Sequence, residues 1–140
     1  MINPGTAEWL NLVEEEIIDA QRPIIDPHHH LWKQPAGSDY LLENLWEDTG
    51  SGHNVVKTVF VECFAEYRTE GPNHLKSLGE TEFVAEQADA SEADNGNATI
   101  AAIVGHTNLT RGEQTREPLE AHIELGRGKF RGVRHAGARD

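Results

Sequence analysis

Ile24-Ile25-Asp26-Pro27-His28-His29-His30-Leu31-Trp32 is the stretch that decides the reading of this chain. An apolar run turns within a few residues into three consecutive histidines, the pattern of a buried strand with a chemically active end. Side chains two apart on a strand point to the same face. Asp26, His28 and His30 are therefore expected on one side and His29 on the other. Two imidazoles separated by two residues lie about 6–7 Å apart along the strand, close enough to converge on one divalent cation. Zinc takes neutral imidazole nitrogen readily, and a neighbouring carboxylate such as Asp26 is suited to ligate or to orient a ring. The histidines sit inside an apolar segment and away from either terminus, which argues against a tag.

Outward from that strand the chain alternates. Upstream, Leu10, Val13 and Ile17 recur at helical spacing, predicting a short amphipathic helix over Thr6–Ile17 that Arg22-Pro23 ends. Downstream, Tyr40–Asp48 reads as a helix stopped by Thr49-Gly50-Ser51-Gly52, and Val55–Phe64 as a second strand. That strand is apolar on both faces, which predicts cover on both sides. A polar loop, Glu66–Lys76, leads to a helix from Ser77 to about Asp94, where Ser77 and Glu80 have capping-box spacing. Thr99–His106 is the third strand, Pro118–Leu125 the next helix, with Pro118 near its first turn, and Phe130–His135 the fourth strand. Strict alternation of helix and strand predicts a parallel sheet with right-handed crossovers.

Composition narrows the setting. The 140 residues carry 12 Lys plus Arg against 24 Asp plus Glu, a formal charge of −12. Such a surface repels phosphate backbones and anionic leaflets, so neither nucleic acid nor membrane is an expected partner. No apolar run approaches the roughly 20 residues of a membrane span. Cys63 is the only cysteine, so no internal disulfide forms, and a reducing cytoplasmic location is the expectation. Cys63 reads as a core residue and not a nucleophile, and His53 and His106 as surface or loop histidines.

Asp26-Pro27-His28-His29-His30-Leu31-Trp32 resembles the first-strand signature of the amidohydrolase superfamily, in its amidohydrolase-related branch. Further segments resemble that branch in order: Tyr40-Leu41-Leu42, Thr58-Val59-Phe60-Val61-Glu62-Cys63, Ile103-Val104-Gly105-His106 and Phe130-Arg131-Gly132-Val133-Arg134-His135. The resemblance runs from about Trp9 onward and implies a TIM-type (β/α)8 barrel. A full barrel takes about 250 residues, so residues 1–140 are expected to hold its first four β/α units, a single incomplete barrel domain with residues 1–22 as a helical extension.

The family's function implies a metal-dependent hydrolase opening a lactone or another cyclic ester or amide carbonyl. On this resemblance His28 and His30 are metal ligands, zinc being the expected metal, with Asp26 beside them. Glu62, Arg134 and His135 are candidates for substrate contact, of which Arg134 and His135, being adjacent, are expected to supply only one inward side chain. The family draws its remaining ligands and its catalytic aspartate from later strands, for which these residues have no place. No catalytic residue is assigned, and the expectation for the chain alone is a low-occupancy metal site in a truncated, inactive portion. The alternatives are a noncatalytic interaction protein and a half-barrel completed by self-association or by a complementing chain.

Overall fold

A computed structural model describes residues 2–13, 15–34 and 37–137. The elements run α1 (Ala7–Leu10), β1 (Pro23–His29), α2 (Leu42–Thr49), β2 (Asn54–Val61), α3 (Leu78–Ala93), β3 (Thr99–Gly105), α4 (Arg116–Leu125) and β4 (Phe130–Val133). The four strands form one all-parallel sheet in the order β1-β2-β3-β4. The alternation expected from the sequence is thus present as an α/β unit.

Apolar side chains from the helices and the sheet meet in one cluster. Leu42 and Leu45 of α2 and Phe83, Val84, Ala85 and Ala88 of α3 pack with Leu31, Phe60, Ile100 and Ile103. Crossovers of one hand between strands in sequential order place successive helices on the same face. Toward the amino ends of β1 and β2 the opposite face is bare among the described residues: Ile25 pairs with Lys57, and both are exposed. The cover expected on both sides of β2 is therefore missing there, whereas at its carboxyl end the consecutive residues Phe60 and Val61 are both buried.

Two local expectations also change. The helix predicted over Thr6–Ile17 forms only at Ala7–Leu10, and Leu10, Val13 and Ile17 stay exposed; Glu14 lies outside the described residues. A helix that short is held by packing or not at all, and this stripe has no surface to pack on. Ser77 precedes α3 in helical backbone geometry and makes no side-chain cap, so the predicted capping box is absent. Glu80, its expected partner, turns across to the end of β2. The polar Glu66–Lys76 loop contains a 3-10 turn at Asn73–Leu75. It is also tied to α3 by Arg68, whose guanidinium donates twice to Glu82.

Candidate metal and carbonyl-binding site

The parallel ladder brings the sequence-predicted residues together at one end. His28 lies at the end of β1 and His30 just after it, Glu62 follows β2, His106 follows β3, and Arg134 and His135 follow β4. The carboxyl ends of parallel strands are where such sheets place their ligands.

β1 does not reach that end by plain alternation. Asp26 pairs with Thr58 and His29 with Phe60, so β1 takes three steps where β2 takes two. The extra residue is a bulge centred on Pro27 and His28, and Pro27 has no N–H to lose from the ladder. Beyond the bulge His29 turns inward, buried edge-on against Phe60 with a centroid separation of 5.8 Å. Neither of its ring nitrogens has a partner among the described residues. Burial pushes its pKa down to about 4, so His29 is a neutral core side chain. The rings of His28 and His30 meet instead on the other side, with their Nε2 atoms 3.2 Å apart.

His30 Nδ1 donates to the Val61 carbonyl at 2.7 Å. A carbonyl only accepts, so this bond puts the proton on Nδ1 and leaves the Nε2 lone pair facing His28. Metal-binding histidines are oriented in the same way. Zinc–nitrogen bonds of 2.0–2.1 Å in a tetrahedron place two ligand nitrogens about 3.3 Å apart, close to the spacing found here. The pair therefore fits two adjacent positions of a tetrahedral cation. Asp26 does not orient either ring: its carboxylate accepts the backbone N–H of His28 at 3.0 Å and holds the bulge. Among the described residues no group of three or more His, Cys, Asp or Glu side chains is placed to hold a metal ion.

A cleft of about 370 Å³ opens beside the pair, lined by Asp26, Trp32, Tyr40 and Asp48 among others. Trp32 stacks on Tyr40, to which it is joined by a backbone bridge, and the Tyr40 hydroxyl donates to Asp48.

The end of β2 links β1 to β4. Val61 offers its carbonyl to His30, and the next carbonyl, that of Glu62, accepts Arg134 Nη2 at 2.6 Å. Arg134 Nε also donates to Glu62 Oε1 at 2.7 Å. Glu62 is 2% exposed, so the ion pair removes a buried charge that would otherwise be costly. The Arg134 side chain remains 41% exposed, with further donors available. His135 points elsewhere, accepting the Leu109 N–H on Nδ1 and standing edge-on to His106. His106 is half-buried and donates from Nδ1 to the Arg134 carbonyl. It is therefore a fixed part of this end and not the free loop histidine expected. Cys63 packs against the core with its thiol toward the Leu31 carbonyl, and burial pushes that thiol up to about 11. This is the core position that its sequence context predicts. His53 is exposed.

No family model, curated protein or solved structure matches the chain. No helix among the described residues is long and apolar enough to cross a membrane.

Proposed function

We propose that this chain forms the first four β/α units of an amidohydrolase-type (β/α)8 barrel, a metal-dependent hydrolase of lactones or related cyclic carbonyl compounds. The observation that carries the reading is the pair of Nε2 atoms 3.2 Å apart at the carboxyl end of β1, with His30 held through Nδ1. Sheet order supports it: sequential strands with helices on one face are what a barrel needs, whereas doubly wound sheets reverse order and carry helices on both faces. His28 and His30 would hold the metal, which when bound lowers the pKa of a water and polarises a carbonyl. The remaining donors and the base that activates water come from residues beyond this four-stranded unit.

Within the chain, Val61 fixes the His30 tautomer and Asp26 fixes the bulge that brings His28 to it. Arg134, held by Glu62, presents its remaining N–H groups to an anionic or hydroxylated substituent of the substrate. Zinc binding followed by equilibrium dialysis tests the site. Wild-type protein takes up zinc at low affinity, and replacing His28 and His30 with Ala abolishes uptake. Stoichiometric zinc in the double variant overturns the assignment. Assay of protein isolated from its source against sugar and carboxylic lactones, with amides alongside, tests the substrate class.

A second reading has its own observation. Among the described residues β1 and β4 have open outer edges, and Ile25 is exposed on the bare face. Open edges and uncovered apolar surface favour association. On this reading the chain is a half-barrel completed by a second copy or a complementing chain, and light scattering of the source protein distinguishes a monomer from such an assembly.

A further inference from the structure

Three buried oxygen atoms near the loop that follows β2 have no hydrogen-bond partner among the described residues: Glu62 Oε2, Glu80 Oε2 and the Tyr67 hydroxyl. Glu62 and Glu80 are 2% and 1% exposed, so neither carboxyl can turn its free oxygen to bulk water. Their other oxygens are committed. Glu62 Oε1 takes Arg134 Nε, and Glu80 Oε1 takes the backbone N–H groups of Cys63 and Ala65 at 2.9 and 2.8 Å.

The charges do not balance. Arg134 pairs with Glu62, whereas Glu80 has no cationic partner among the described residues. Arg68 is paired with Glu82, and Lys33 lies against Glu66. His122 of α4 is buried between Thr81 and the His106 carbonyl, and burial keeps it neutral. The Cys63 thiol and the Tyr67 phenol are both pushed upward by burial and stay protonated. One buried negative charge is left without a counter-charge, an arrangement proteins avoid by neutralising the group. Two carboxylates form too small a donor set for a metal ion, and no larger acidic group lies here among the described residues.

We propose that Glu80, buried with Glu62 at the carboxyl end of β2, is a proton-binding site in which one exchangeable proton on Glu80 Oε2 stands in for the missing counter-charge. Protonated Glu80 keeps Oε1 for the two amides and gains a donor on Oε2, the atom that has no partner otherwise. Burial acts first to push Glu80 up to about 7, and the Glu62 charge adds to it, so the site fills and empties across neutrality.

The site is coupled to the loop it sits under. Phe64 and Glu66 occupy left-handed backbone geometry, with φ of 67° and 49°. Non-glycine residues hold that region only when their surroundings impose it. Glu80 Oε1 holds the amides of Cys63 and Ala65, which flank Phe64 and lead into Glu66. When the proton leaves to solvent, two buried negative charges share one counter-charge, and this loosens the Cys63–Tyr67 segment and the grip of Glu62 on Arg134.

The test is carbon-detected NMR titration of Glu side-chain carboxyls between pH 5 and 9, on the full chain and on Glu80→Gln and Glu62→Gln. One carboxyl titrates within about a unit of 7. It is missing from Glu80→Gln and falls by about one unit in Glu62→Gln, where the like charge is gone. Hydrogen exchange at the Cys63 and Ala65 amides, relative to Ile103 in β3, accelerates as that carboxyl ionises. A Glu80 carboxyl titrating near 4.5, or a neutral midpoint unmoved by Glu62→Gln, overturns the proposal. Should Glu80→Gln unfold, the wild-type titration and the Glu62→Gln shift decide it.

Discussion

Replacing Glu80 with Gln keeps the shape of the side chain and the oxygen that accepts from Cys63 and Ala65, and removes only the ionisation. In the folded chain Glu80 is pushed from 4.5 up to about 7, while in the unfolded chain it titrates near the ordinary value. The folded state therefore holds this proton more tightly. Its contribution to stability is complete below pH 4.5 and is lost as the pH rises through 7. For those two values the loss between pH 5 and pH 8 is roughly 2–3 kcal/mol. The variant has no such contribution, so its stability relative to wild type rises by roughly 2–3 kcal/mol over the same interval. Urea denaturation read by tryptophan fluorescence at pH 5, 6.5 and 8 measures this. Trp46 is a suitable reporter because it packs against the core and donates to the Ala98 carbonyl. Taking the difference between the two proteins cancels every other titrating group not coupled to Glu80. A stability difference that stays level across the pH range refutes the reasoning.

Two further substitutions probe the packing that positions the site. Phe60→Ala removes a fully buried ring from the core and from the edges of His29 and His30, at an expected cost of about 3–5 kcal/mol. Thermal unfolding by circular dichroism measures it, and a loss below about 1 kcal/mol would mean that the core is not closed around this ring. Thr81→Val leaves His122 Nδ1 without its partner and is expected to cost about 1–3 kcal/mol by urea denaturation. His122 is held below 6.5 chiefly by burial, so the unfolded chain takes up the proton first and stability falls as pH drops through that value. Because burial and not Thr81 causes the shift, the same acid sensitivity persists in Thr81→Val.

The four strands were legible because each is an apolar run bounded by turn residues: Val55–Phe64 was expected after Gly50-Ser51-Gly52, and Asn54–Val61 forms the strand. That His28 and His30 share a side was legible from their two-residue spacing, but their close approach depends on the bulge, which was not. What escaped the sequence depends on neighbours. The predicted first helix had its stripe but no surface to bury it on. Glu80 matched a local capping pattern, yet the amides after β2 compete for the same carboxylate and win. Glu62 and Arg134 are 72 residues apart, and only the sheet order brings them together. The partner of His30 is a backbone carbonyl, which no side-chain pattern can reveal, and the Pro27 bulge exists only as a mismatch between two strands.

That mismatch limits how the histidine pair can be moved. A designer grafting His-x-His onto a regular parallel strand would bring across the two side chains and lose the step that turns them. In this chain the geometry belongs to five residues, Asp26 to His30, together with the second strand's Val61 carbonyl. Deleting Pro27 would remove the extra step between the Asp26–Thr58 and His29–Phe60 pairs, and with it the turn that carries His28. The transplantable unit is therefore a bulged strand and its neighbour, and libraries built to vary this centre should hold that length constant while they vary composition.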